Sequence, residues 1–323
     1  MYKILDKIVI IEFTAFIAGP LVGQIFYQLG ASVIRIDPSK TPIDKNRFPV
    51  DENGYSYYWA ELNKGKKLLN INYRKKSDLK DIIQLIKKLY TDKTIIIITN
   101  LSLPSYLSYK ALSKIFHDIY YLEIYGSSAN KEVDYTINAQ TGIPYINGDY
   151  NNPQNNMLPT WDLTTGCIGA VSILSLLTNN KNNDRYIKLS LMDTCLWTLS
   201  NLGYLGEHYN KKESRESSDN YVYGTFGNKF STKDNILVFI ICLTTRHWDN
   251  LIKTLKLNSQ INLLEKKLSL NFKLQKHLYY ARKELHQIIQ KKINDHDYAY
   301  ISQILEKNEI LFSKYESASE FVN

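Results

Sequence analysis

IVIIEFTAFIAGPLVGQIFYQLGASVIRID, residues 8–37, decides the architecture. IVIIEF (8–13) is a short β-branched run and reads as a strand. GPLVGQIFYQLG (19–30) reads as a helix stopped by Gly30, and SVIRID (32–37) as a second strand. Two strands joined through a helix run parallel, so the unit belongs to a sheet covered by helices. A membrane anchor or signal peptide is the competing reading. A spanning helix needs about 20 uninterrupted apolar residues, and here Glu12 and then Gly19–Pro20 break the run. Asp6 and Lys7 also cancel the basic start that a signal peptide requires.

The same alternation continues outward. A short strand lies in LLNINYRKK (68–76), and DLKDIIQLIKKLY (78–90) has apolar residues at helical spacing. TIIIITN (94–100) is a continuous apolar run, as expected of a strand buried on both faces. YKALSKIF (109–116) reads as a helix and YYLEIYG (120–126) as a strand. A helix over 165–178, a strand YIKLSL (186–191) and a helix from Met192 to about Leu205 complete the series. The predicted fold is α/β, a Rossmann-like parallel sheet in a large domain, residues 1–205, followed by a smaller α+β domain. The polar stretch HYNKKESRESSDN (208–220) predicts a linker over 206–222. The small domain, 223–323, opens with two strands joined by a turn at Lys233–Asn235 and runs on as a Lys/Leu/Ile-rich helical stretch to about Lys307.

The chain has 323 residues, 44% of them hydrophobic, enough for a full core and more than one domain. Its net charge is +8. The lysines are scattered and no basic recognition helix or nucleic-acid module is present, so nucleic acid is not an expected partner. Cys167, Cys195 and Cys242 are an odd, widely spaced set, which fits a reducing, cytoplasmic setting. The six histidines make no metal-ligand spacing with Cys, Asp or Glu, so no metal site is expected. AGPLVG is not a G-x-G-x-x-G dinucleotide fingerprint. The absence of G-x-S-x-G and of a Cys–His signature disfavours hydrolase triads.

Carboxylates remain. Asp134 lies in VDYTINAQTGIPYING, and Asp162 lies in PTWDLTTG (159–166) at the mouth of an apolar helix. Spacing alone favours an N-cap over a reactive acid for Asp162, though position by itself does not fix its role. NKGKK (63–67) with Arg74 is either a solvated edge or a phosphate-binding rim of Lys64, Lys66, Lys67 and Arg74.

The ordered motifs FTAFIAGPLVGQIFYQLGASVIRIDP (13–38), YYWAELNKGKKLLNINYRK (57–75), ITNLS (98–102), DYTINAQTGIPYINGD (134–149), WDLTTGCIGAVSILSLL (161–177) and IKLSLMDTCLW (187–197) together resemble the class III CoA-transferase family. Within it, NRFPVDENGYSYYWAELNKGK, YGTFGNKFSTKDN and LTTRHW look most like the 2-methylfumaryl-CoA isomerase (mesaconyl-CoA C1–C4 CoA transferase) branch. The resemblance implies that Asp162 is the catalytic nucleophile. It attacks an acyl-CoA thioester to form an aspartyl–acyl anhydride, and CoA moves between carboxyl groups. It further implies that the helix mouth keeps Asp162 ionised and offers N–H donors to the reacting carbonyl. By matched position, Ala15, Phe16, Ile17 and Ala18 line the CoA cleft, Asn100 and Leu101 meet the pantetheine, and Arg74 meets the phosphates. Tyr135 and Gln140 face the acyl group, and Arg47 is the candidate for a free substrate carboxylate. Coenzyme A is then a substrate moiety, and no permanently bound cofactor is implied. The expected partners are an acyl-CoA, a small carboxylic acid and a second copy of the chain, with no membrane.

The sequence also departs from the family pattern. Pro38 stands where a basic residue often stacks on adenine, and Val133 where racemases carry histidine, which disfavours racemisation. LTTRHW replaces the glycine-rich loop of formyl-CoA transferases. LFSKYESASEFVN (311–323) ends about where the family's chain returns to the large domain, so that return segment is expected to be missing and interlocking of a dimer is open. The leading functional expectation is intramolecular CoA transfer. The alternatives are an intermolecular transferase with a separate acid acceptor and a catalytically silent CoA-ester-binding paralogue.

Overall fold

The computed structural model describes residues 3–38, 42–127, 132–178, 184–211, 215, 217 and 219–322. The chain divides into two compact units: residues 1–145 with 153–215, and residues 146–152 with 216–323.

In the first unit, β1 (Ile8–Phe13), β2 (Ser32–Asp37), β3 (Lys67–Asn70), β4 (Thr94–Thr99), β5 (Tyr120–Tyr125) and β6 (Tyr186–Ser190) form one parallel sheet in the order β3-β2-β1-β4-β5-β6. All six strands coincide with runs expected from the sequence. Between and after them come α1 (Ala18–Gln28), α2 (Tyr57–Asn63), α3 (Leu79–Leu89), α4 (Tyr109–Leu112), α5 (Asp134–Gln140), α6 (Ile143–Asn147, whose last two residues count with the second unit), α7 (Thr160–Thr178), α8 (Leu191–Asn201) and α9 (Tyr204–Lys211). The two-residue period of the strands splits the core. Ile8 and Ile10 of β1 with Ile96 and Ile98 of β4 pack under α1, α7 and α8. Val9, Ile11 and Phe13 with Ile95 and Ile97 pack under α3 and α4.

Two glycines serve α1. Gly30 has φ 102°, and there Ala31 N–H donates to Phe26 O at 3.0 Å, closing the helix as the sequence predicted. A side chain on Gly23 would overlap the Glu12 carboxylate, so glycine lets α1 lie close over β1.

Three boundaries differ from expectation. The helix expected over 165–178 begins at Thr160, because a carboxylate from α5 satisfies its first turn. The helix expected from Met192 to about Leu205 breaks at Gly203, φ 72°, into α8 and α9. The expected linker, 206–222, is helical through Lys211, since Tyr204 and Leu205 pack α9 on the core. Residues 212–214, 216 and 218 of that stretch lie outside the described residues. Among the described residues α7 has the length and apolar character to cross a membrane, and here it packs against α1 and α8.

The second unit holds β7 (Phe226–Ser231) and β8 (Leu237–Cys242), an antiparallel hairpin turning at Lys233–Asn235. Then follow α10 (Thr245–Thr254), α11 (Asn258–Leu268), α12 (Gln275–Tyr280), α13 (Arg282–Ile293) and α14 (Tyr298–Lys307). β9 (Leu311–Lys314) pairs antiparallel with β8, and α15 (Ala318–Val322) follows. Trp248, Leu251, Leu278, Leu285, Ile289, Ile301 and Leu305 join Phe226, Phe230 and Ile240 in a separate core. The α/β assignment with a smaller mixed α and β unit therefore holds. The third strand in 311–314 had not been expected, because its four residues carry too little pattern to stand out.

Candidate active site

In a sheet of this order the chain reverses its direction of travel between β1 and β4, and the crevice beyond their C-terminal ends is the natural ligand site. The β1–α1 turn fills that position. Asn100, just past β4, clamps it: the side-chain amide donates to Ala15 O at 2.7 Å and accepts from Ala15 N–H at 2.9 Å. Thr99 Oγ1 donates to Phe13 O at 3.0 Å. Phe16 adopts φ 62°, a left-handed conformation costly for a bulky residue, and its N–H donates to Asp44 Oδ2 at 2.8 Å. Ala15 and Ala18 are buried, while Phe16 is exposed.

Asp44 is itself held by charge. Arg35, fully buried in β2, donates to Asp44 at 2.9 Å, to Asp37 at 3.0 Å and to Asn63 at 3.1 Å. Beside it, Lys66 Nζ donates to Glu12 Oε1 and to Pro20 O, both at 2.8 Å, with both side chains sealed from solvent. Lys66 therefore does not belong to a phosphate rim: its charge is spent inside the protein. Lys64 pairs with Glu61 in solvent. This network was missed in the sequence. Its one signal was Glu12 and Arg35, charges inside otherwise apolar strands, which turn out to be register partners.

Arg47 lies on the same loop as Asp44. Its guanidinium stands 5.5 Å from the Phe16 ring and 5.9 Å from the Tyr58 ring. Its charge also reaches Asp162 at the start of α7. Burial pushes the Asp162 carboxyl up to about 7, neighbouring Asp134 adds to the rise, and Arg47 opposes it. Phe16, Arg47, Asp134 and Asp162 thus form one group within the first unit.

The helix mouth behaves differently from expectation. Thr160 N–H donates to Leu158 O at 2.8 Å, and Leu163 N–H to Pro159 O at 3.0 Å. Trp161 and Asp162 N–H both donate to Asp134 Oδ2, at 2.6 and 3.0 Å. The first-turn donors are thereby committed, so α7 neither keeps Asp162 ionised nor offers these N–H groups to a reacting carbonyl. Asp162 is not the N-cap; it is the third residue of the helix, half-buried, and no donor among the described residues reaches its carboxylate.

The other expected residues are more dispersed. Leu101, half-buried after β4, donates its N–H to Thr99 Oγ1. Tyr135 is exposed in the first turn of α5, next to Asp134. Gln140, at the far end of α5, donates to Glu132 Oε1 at 2.7 Å and to Thr136 O at 3.2 Å. Arg74 is exposed in the turn after β3. At the C-terminal ends of β2 and β3, Asp37, Pro42, Lys45, Trp59, Leu68, Leu69 and Asn70 line a cleft of about 230 Å³. Trp59 Nε1 is buried without a partner among the described residues, and Lys45 Nζ stands 5.6 Å from the Trp59 ring. Among the described residues no cluster of three or more His, Cys, Asp or Glu could hold a metal ion.

Comparison with known proteins places the chain as a whole in a family. The family model described as CoA-transferase family III matches residues 5–323. The 2-methylfumaryl-CoA isomerase of Chloroflexus aurantiacus is 31% identical over 328 residues, covering 100% of this chain and 80% of that protein. A CAIB/BAIF family protein from Brucella suis superposes with TM-score 0.76 at 20% identity, covering 100% of this chain and 87% of its own. Rv3272 from Mycobacterium tuberculosis gives TM-score 0.79 at 18% identity, covering 100% and 86%. At these identities the two structures speak to the fold alone.

Proposed function

The chain belongs to CoA-transferase family III, and from that premise we propose that it moves CoA between the two carboxyl groups of one small dicarboxylic acid through Asp162. The observation that carries this reading is the Asp162 carboxylate itself. It is half-buried, receives no hydrogen bond among the described residues, is raised to about 7 and stands beside Arg47 at the sheet's ligand-binding end. Such a group is a better nucleophile than a solvated carboxylate, because burial and a like charge raise its basicity.

The steps balance without water, oxidant or nucleotide. An Asp162 oxygen attacks the thioester carbonyl, the C–S bond breaks, and CoA leaves as thiolate, giving a mixed anhydride. The thiolate adds to the aspartyl carbonyl and frees the diacid. The diacid's other carboxylate attacks the aspartyl thioester and releases the thiolate again. Thiolate attack on the new acyl carbonyl forms the product thioester and restores Asp162. Arg47, exposed and close to Phe16, is suited to pair with the carboxylate not in reaction. The cleft containing Trp59 and Lys45 is suited to the adenosine end of CoA, with the indole supplying the stacking face that Pro38 does not. The turn from Ala15 to Ala18, clamped by Asn100, and the neighbouring Leu101 would border the pantetheine arm, and Arg74 the phosphates. A homodimer and a cytoplasmic location are part of the proposal, the latter supported by three free cysteines.

The test is turnover of 2-methylfumaryl-CoA in the presence of isotope-labelled free 2-methylfumarate, read by liquid chromatography and mass spectrometry. The expected product is the unlabelled C4 thioester, with loss of turnover in Asp162→Asn. Label in the thioester would replace the intramolecular reading with an intermolecular transferase. Turnover in Asp162→Asn equal to wild type would remove the nucleophile.

A further inference from the structure

Asp134 bonds directly to the first turn of the nucleophile's helix, yet no step of the proposed transfer uses it. Its side chain is buried, and a single oxygen, Oδ2, accepts the N–H groups of both Trp161 and Asp162. One turn further along α5, buried Asn138 continues the contact. Its Oδ1 accepts from Trp161 Nε1 at 3.2 Å and from Asn156 Nδ2 at 3.2 Å, and its Nδ2 donates to Asn155 at 3.0 Å. Asn156 Nδ2 also donates to Thr160 Oγ1 at 3.2 Å. The second and third residues of α7 are thus gripped from α5 by Asp134 and Asn138, and its first residue by Asn156 of the preceding loop.

An aspartate at the third position of a helix has an easy alternative. Its short side chain can turn back and accept the free N–H groups of its own first turn. A carboxylate satisfied in that way is stabilised as an anion and turned away from any ligand, and both changes weaken it as a nucleophile. We propose that Asp134 is a positioning residue that occupies those N–H groups, so that the Asp162 carboxylate cannot cap its own helix and stays directed at substrate. The proposal rests on the reading of Asp162 as the nucleophile. Its electrostatic consequence follows from the groups around the site. Asp134 faces Asp162 from α5, and Arg47 faces it from the loop after β2. α1 carries no charged residue. α8 brings the Cys195 thiol towards Asp134 and keeps Asp193 in its own first turn.

Two variants separate the charge of Asp134 from its hydrogen bonds. Asp134→Asn retains an acceptor oxygen of the same shape, whereas Asp134→Ala leaves both N–H groups free. The protonation of Asp162 is read directly by infrared difference spectra, subtracting the matching Asp162→Asn protein at each pH, so no turnover is needed. The expected midpoint is about 7 in the wild type, roughly one pH unit lower in Asp134→Asn, and lower again in Asp134→Ala as Asp162 takes the freed donors. In turnover, Asp134→Ala should lose roughly a hundredfold in kcat with little change in KM for the CoA ester, and Asp134→Asn should recover a large part of that loss. An unchanged midpoint in both variants, with native circular dichroism, would overturn the proposal. So would a loss of turnover confined to KM. A shifted midpoint in a protein whose wild type turns over no CoA ester would uphold the positioning role and remove the CoA-transfer reading instead.

Discussion

At the scale of the residue, Asp162 is costly to the fold in its active form. Its carboxyl sits near 7 in the folded chain, while an unfolded aspartate titrates near 4. Between those values the folded state binds the extra proton, so stability falls as pH rises from about 4 to about 7 and stays lower above. Asp162→Asn should therefore raise the melting temperature at pH 8, by roughly 2–4 °C, and leave it nearly unchanged at pH 4. Scanning calorimetry at the two pH values checks this, and an equal shift at both would place the effect in packing rather than charge. For turnover the sign is opposite. The nucleophile must be ionised, so kcat/KM should climb through pH 7 as Asp162 loses its proton.

At the scale of the element, the β1–α1 turn is held from below by charge. Lys66 and Glu12 lie wholly inside, each displaced from its usual ionisation by burial: Glu12 upward, Lys66 downward. Removing one partner strands the other. Lys66→Ala should cost about 3–5 kcal/mol in urea unfolding, and pairing Lys66→Met with Glu12→Gln should recover most of it. No recovery in the double variant would show that Lys66 matters through Pro20 O rather than through the pair. The loop and helix carrying Lys45 and Trp59 belong to the proposed adenosine cleft. Trp59→Ala should raise KM for CoA esters roughly tenfold with kcat preserved, measured by steady-state kinetics. A fall in kcat alone would move Trp59 out of that role.

At the scale of the whole molecule, the second unit contains its own closed core, from Phe226 on β7 to Leu305 on α14 and Ile310 before β9. A core of that extent in about 100 residues is enough for independent folding. The fragment 219–323 should unfold cooperatively on its own, followed by circular dichroism in urea. A broad, non-cooperative melt would make its stability dependent on the rest of the chain.

The strand–helix alternation, the parallel sheet and its six strands were legible in the sequence, because strand runs such as TIIIITN and helical spacing such as DLKDIIQLIKKLY are local patterns set by burial. The family motifs likewise pointed to Asp162 before any geometry. Chain pattern could not say which N–H groups a carboxylate would take. Asp134 and Trp161 are 27 positions apart, and Arg35 and Asn63 are 28 apart, so their hydrogen bonds exist only once α5 meets α7 and β2 meets α2. The helix mouth that the sequence offered to Asp162 is occupied by Asp134, and the lysine it offered to phosphate is buried against Glu12. Both outcomes were decided by tertiary structure, because a polar group's role depends on the partner and the solvent left to it after packing.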